Sequence, residues 1–218
     1  MNLKTKNMPY RNKAITKDAQ DKLTPMIVLQ DFIEGNSRFI RDEVHSIDHK
    51  ALITQTTDSQ HPKAIVLSCI DSRVPVELIF DQTIGDIFVA RVAGNFENTD
   101  ILGSMEYSCK VAGSKLVFVL GHESCGAVKA ACDHVELGNI TSMLSNIQPA
   151  VKKSESEISG EYNSSNTEFL NKTIENNVKL TIDRIREKSP ILKEMEQNGE
   201  IKIVGGVYHI SSGKVSML

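Results

Sequence analysis

Two features of the sequence predict an α/β fold with a mostly parallel central sheet flanked by helices. Three short runs, AIVLS (64–68), IFVARV (87–92) and LVFVL (116–120), are rich in β-branched residues and continuous rather than alternating, as in strands covered on both faces. Stretches with helical spacing lie between them, and strand, helix, strand, helix, strand is the order of right-handed parallel crossovers.

Taken in order, residues 1–22 are polar and read as a loose N-terminal arm, with residues 23–218 forming one domain. Thr24 and Pro25 read as N-cap and first residue of a helix, Val28, Leu29, Phe32 and Ile33 give it an apolar stripe, and Gly35 supplies a stop. After the first strand, Pro75 opens a short helix over 75–80; after the second, Thr99 opens and Gly113 closes a helix over 99–113. The third strand leads to a helix over 124–137 with Ser124 at its cap. The serine-rich tract 152–167 reads as an exposed loop or frayed helix end, followed by a long helix over 169–188 and a short one from Pro190. IKIVGGVYHI (201–210), a turn at 211–213 and VSML then predict a C-terminal strand added at a sheet edge.

Composition limits the function. With 218 residues, 40% of them hydrophobic, the chain can bury a full core. Its 25 basic and 28 acidic side chains give a net charge of −3, so no global basic excess is available for nucleic acid or an anionic membrane. No apolar run approaches the ~20 residues of a membrane span. The basic N-terminal residues Lys4, Lys6, Arg11, Lys13 and Lys17 precede no hydrophobic stretch. A cytoplasmic location is the expectation, although a chain whose export signal had been removed, as in a periplasmic protein, would look the same.

Four cysteines are too few for a disulfide scaffold and fit free or metal-bound thiols. Cys109 and Cys132 fall inside helical patterns and read as core packing. Cys69 and Cys125 fall where strands give way to helices, at the sheet edge where open α/β folds place their sites. His122 and Cys125, spaced i and i+3, can converge on one point; Cys69 from the neighbouring strand end adds a second sulfur. Two thiolates and an imidazole suit Zn²⁺, and three protein ligands leave a fourth position open, as in catalytic zinc. His45, His49, His61 and His134 read as surface residues and His209 as structural. N-x-S/T matches at Asn139, Asn163 and Asn171 occur at a frequency chance would give.

A serine elbow fails because G-x-S-x-G would need glycine where His122 stands, and no G-x-G-x-x-G follows a strand. A Cys125–His122 nucleophile pair would leave Cys69 unexplained. Asp71, two residues beyond Cys69, can fill the fourth metal position or accept a hydrogen bond from a metal-bound water; Arg73 can keep it ionised and oriented.

The residues CIDSR (Cys69, Asp71, Arg73) and HESC (His122, Cys125) resemble the C-x-D-x-R and H-x-x-C motifs of the β-class carbonic anhydrases, with agreement from about Pro62 through Ala131. That resemblance implies a zinc enzyme, one Zn²⁺ per chain, acting as an obligate homodimer or a tetramer built from dimers. Its reaction would be reversible hydration of CO2 to bicarbonate and a proton through zinc-bound hydroxide, with Asp71 and Arg73 orienting the water. Similarity to the plant-type branch further implies a substrate pocket of Gln60, Phe88, Ala93 and Tyr107, partly contributed across the dimer interface; Ala93 replaces a bulkier valine. Gln60 and Tyr107 match the branch that keeps water, rather than the aspartate, in the fourth zinc position. Two other readings stay open: hydrolysis of CS2 or COS on the same scaffold, and a non-enzymatic zinc-binding or redox-sensing protein.

Overall fold

The computed structural model describes residues 10–218. Part of the expected loose arm lies outside the described residues; the remainder is anchored. β1 (Tyr10–Arg11) pairs in parallel with β2 (Ser46–Ile47), and α1 (Lys17–Asp21) is capped by Thr16. Arg11 binds the buried Asp86 carboxylate, and the buried Gln20 amide donates to the carbonyls of Pro62 and Ala112 at 2.7 Å. A polar segment is held here by ionic and hydrogen-bond partners that local sequence does not advertise.

α2 (Pro25–Ile40) starts at the Thr24 cap as expected but runs straight through Gly35. The glycine is there for close approach: a Cβ would stand 2.0 Å from the Phe80 carbonyl oxygen. α3 (His49–Gln55), capped by Asp48, was not foreseen.

The main sheet contains β3 (Ala64–Ser68), β4 (Ile87–Arg91), β5 (Leu116–His122), β6 (Lys202–Tyr208) and β7 (Val215–Met217) in the order β4-β3-β5-β6-β7. The first four are mutually parallel, and β7 joins antiparallel at the edge. Strand alternation divides the core in two. Ala64, Val66, Phe118 and Leu120 meet α2 and the short α4 (Val76–Ile79), where the rings of Phe32, Phe80 and Phe118 pack with centroids 4.6–5.9 Å apart. Burying each such ring contributes about 1.5–3 kcal/mol. Ile65, Leu67, Val117 and Val119 face the opposite way, toward α5 (Thr99–Glu106), α9 (Thr167–Lys188) and α10 (Pro190–Gln197).

Asn98 rather than Thr99 caps α5, and its continuation 107–111 widens into a π-helical turn before Gly113, at φ 84°, ends it. The helix expected over 124–137 is shorter: α6 (Gly126–Cys132) begins after Cys125, and α7 (Gly138–Leu144) and α8 (Gln148–Glu155) follow. Ser124 is not its cap but sits in the left-handed region at φ 53°. These helices close a third apolar cluster over the carboxyl ends of the strands, containing Cys69, Cys125, Phe96, Val128, Ile147 and Phe169. Among the described residues no helix is long and apolar enough to cross a membrane.

Candidate metal centre

Cys69 follows the last residue of β3, and His122 is the last residue of the adjacent β5. Parallel pairing of these strands therefore delivers a sulfur and an imidazole to the same edge, and the turn into α6 brings Cys125 over them. All three donor atoms lie within 4.8 Å of one another, in side chains that are fully or almost fully buried. The two sulfurs are 3.9 Å apart, free rather than bridged.

The fit to a metal is chemical as well as geometric. His122 Nδ1 lies 2.8 Å from the Glu123 carbonyl oxygen, an acceptor only, so Nδ1 carries the proton and Nε2 presents its lone pair. That Nε2 is buried and without a hydrogen-bond partner, a costly state unless a ligand takes it. The Cys69 thiol is lowered well below the usual thiol range, chiefly by the Cys125 thiol, with His122 and the Gly94 N–H, 3.4 Å from Sγ, adding to it against the cost of burial. Cys125 is pushed up by that same hydrogen bond and by burial, because a second adjacent thiolate is unfavourable without a cation.

Asp71 sits beside this group. Its Oδ1 accepts from the Arg73 backbone N–H at 2.9 Å and from Arg73 Nε at 3.0 Å, while Oδ2 accepts from Nη2 at 2.8 Å. The Arg73 fork holds the carboxyl well below the usual carboxylate range. Asp71 Oδ2 is 3.9 Å from His122 Nε2, so an ionised oxygen faces the ligand group without belonging to it.

Of the four residues expected in the substrate pocket, Ala93 adjoins the centre, directly preceding Gly94. Phe88 stands opposite Ile65 and Arg91 opposite Ser68, so Phe88 is about 10 Å short of the strand end. Phe88 and Tyr107 form a ring pair with centroids 6.2 Å apart, lining an open trough of 770 Å³ beside the outer strand β4. Gln60 is exposed in the loop entering β3, at the end of that strand remote from Cys69. Gln60, Phe88 and Tyr107 thus lie away from this chain's own Cys-His-Cys group.

Arg91, at the end of β4, escaped the sequence reading: it donates to the carbonyls of Cys69 at 2.9 Å and Asp71 at 2.7 Å, tying down the loop that carries both. A cation ending the strand beside Cys69 was the available signal. Glu123, between the two motif residues, is likewise engaged. Its carboxylate accepts from His209 Nδ1 at 2.7 Å and from the Ser211 hydroxyl at 3.0 Å. His45 is not a free surface residue; it pairs with the buried Asp81, which Arg38 also binds.

The described fold and site can be set against known proteins. Residues 64–215 match the family model described as carbonic anhydrase. The chain is 32% identical over 193 residues to a carbonic anhydrase of Mycolicibacterium smegmatis, covering 84% of this chain and 88% of that protein. Carbonic anhydrase 2 of Mycobacterium tuberculosis is also 32% identical, over 190 residues, with 83% and 86% covered. Among solved structures, a Coccomyxa β-carbonic anhydrase bound to acetazolamide superposes with a TM-score of 0.69 at 26% identity, covering 78% of this chain and 77% of that one. A Sordaria macrospora β-carbonic anhydrase, described as tetrameric, shares the fold with a TM-score of 0.68 at 22% identity, covering 76% and 85%. With its parallel sheet, its two motifs at adjacent strand ends and a family match over most of its length, this chain belongs to the β-class carbonic anhydrases.

Proposed function

We propose that Cys69, His122 and Cys125 hold one Zn²⁺ per chain and that the centre reversibly hydrates CO2 to bicarbonate and a proton. The observation that carries this is a buried triad of convergent donors with an unpartnered imidazole nitrogen, flanked by an ionised carboxylate. Bound there, zinc supplies the Lewis acidity that brings water to its nucleophilic form near neutral pH.

This chain's residues do the rest. The Glu123 carbonyl fixes the tautomer of His122, and Gly94 N–H steadies Cys69. Asp71 accepts the hydrogen bond of the attacking water and aims its lone pair at the carbon of CO2. A carboxyl held so far below its usual range cannot store a proton at neutral pH, so its work is orientation. Both oxygens are already committed to Arg73, so Asp71 would hold a bound water in place rather than itself ligate a metal held by the triad. A crystal structure with an Asp71 oxygen within about 2.2 Å of zinc would contradict this.

Ala93 provides a small apolar wall. Phe88, Tyr107 and Gln60 reach a centre through assembly: we place a second copy along β4, which among the described residues is paired on one side only, with its trough open beside it. Each copy would then complete the pocket of the other. Sedimentation of the chain as a dimer or tetramer supports this arrangement, and a monomer with full activity excludes it.

The primary test is stopped-flow CO2 hydration with a pH indicator, comparing zinc-loaded protein with the same preparation after chelation. Fast, zinc-dependent acidification is expected. Sulfide release from CS2 or COS without CO2 turnover would move the assignment to those substrates. One bound zinc and a flat trace with all three would leave the sensor reading.

A further inference from the structure

Glu123 stands between His122 and Cys125, and the structure shows it clamped from the C-terminal hairpin. Its backbone N–H donates to the Tyr208 carbonyl at 2.9 Å. Its carboxylate takes His209 Nδ1 at 2.7 Å on Oε1, and the Ser211 N–H at 3.2 Å and hydroxyl at 3.0 Å on Oε2. A carboxylate only accepts, so His209 Nδ1 is the donor. The far side of that ring is held in turn, with Nε2 2.9 Å from Ser216 Oγ on β7. The turn is pinned by His209 N–H to the Lys214 carbonyl at 2.8 Å, and β7 by Val215 N–H to Asn36 Oδ1 of α2 at 2.8 Å.

Two further facts make this more than a surface pair. The carbonyl of the same Glu123 receives His122 Nδ1, so fixing residue 123 fixes the imidazole that must present Nε2. Ser124, the next residue, is held at φ 53°, a conformation an L residue adopts at a cost and keeps only when its surroundings impose it. Three donors on one side chain supply that constraint immediately before Cys125.

We infer that the Glu123–His209–Ser211 clamp is a positioning device for the metal centre, in which the β6–β7 turn sets the relative placement of His122 and Cys125. His209 is therefore a positioning residue, acting through Glu123 and not by touching substrate. The inference rests on the proposed metal site, and its test separates the two.

The test uses Co²⁺ as the probe, titrated into metal-free full-length protein, with the visible absorption spectrum read for coordination geometry and competition with a chelator read for affinity. H209A and E123A are expected to weaken Co²⁺ about tenfold and to change the spectrum, within the range seen when partners behind metal ligands are removed. H209N, whose amide N–H can replace Nδ1, is expected to recover most of the affinity although it cannot reach Ser216. S211A, losing the hydroxyl but not the backbone donor, should fall between, and serves if H209A does not fold. Affinity and spectrum within twofold of the parent in H209A or S211A overturn the inference, as does H209N failing to recover while the unfolding midpoint of the metal-free protein does. A parent chain that binds no Co²⁺ overturns instead the proposed metal site on which the inference stands.

Discussion

Gly121 immediately precedes His122 in β5, and α9 lies across it. An alanine Cβ there would stand 2.7 Å from Val178 Cγ2 and 3.5 Å from Ile174 Cγ2. Carbon atoms pack comfortably at about 3.5–4.0 Å, so helix and strand must separate by about 1 Å. Val178 is fully buried and β-branched, with a stiff rotamer in a helix, and cannot swing aside. Overpacking of this kind costs about 1–3 kcal/mol, while relieving a strand of glycine returns about 0.5 kcal/mol, leaving G121A about 1–2 kcal/mol less stable. V178A alone loses two buried methyl groups and leaves a cavity, about 2–3 kcal/mol. Independent sites would make the double variant about 4 kcal/mol worse than the parent. If the new methyl collides with Val178, the truncation makes room for it, and the double variant should cost little more than V178A, a coupling of about 1–2 kcal/mol. Urea unfolding followed by circular dichroism, at one protein concentration and fixed zinc, measures all four corners of the cycle. Additivity within about 0.5 kcal/mol would refute the claim that glycine is required here for the approach of α9.

Other substitutions probe the site and its surroundings. C69S should bring bound zinc from about one per chain to near zero by elemental analysis; retention of stoichiometric zinc would remove Cys69 from the ligand set. D71N should lower CO2 hydration by about a hundredfold or more at unchanged zinc content, and equal loss of both would contradict a purely orienting role. Burial raises the Cys109 thiol to about 12 and Cys132 to about 11, so neither should react with iodoacetamide in the folded protein at any pH from 7 to 9.5. Asp31 is partly desolvated, yet the buried Lys63 ammonium carries its carboxyl below the ordinary range. Its contribution is complete above the ordinary carboxylate pKa of about 4 and is lost as pH falls through the lower folded value. Because the Asp31 carboxylate is partly open to solvent and so partly screened, D31N should cost about 1 kcal/mol or less at pH 7 and converge on the parent as pH falls through the lowered folded value, whereas a gap independent of pH would sink the assignment.

By itself, the sequence pointed to the sheet and to the Cys-His-Cys group, because both rest on local patterns. A short continuous run rich in β-branched residues and bounded by turns fits a buried strand, and Cys69 directly follows AIVLS while His122 stands two residues beyond LVFVL. Asp71 and Arg73 are spaced so closely that one turn brings the carboxylate onto the guanidinium. Only the tertiary structure decided which contacts cross from one element to another. Gly35 looks like a helix stop until Phe80 is found against it, and residues 10–22 look free until Asp86 and Pro62 are found holding Arg11 and Gln20. Arg91 and His209 are separated from the motifs by 22 and 86 residues in their hydrogen bonds to Cys69 and Glu123, and no periodicity encodes such a pairing. Phe88 and Tyr107 carry this furthest: register places them beside the outer strand and away from the Cys-His-Cys group of their own chain, so the pocket proposed for them depends on how chains assemble. Strand and motif follow from neighbours along the backbone; support and enclosure follow from neighbours in space.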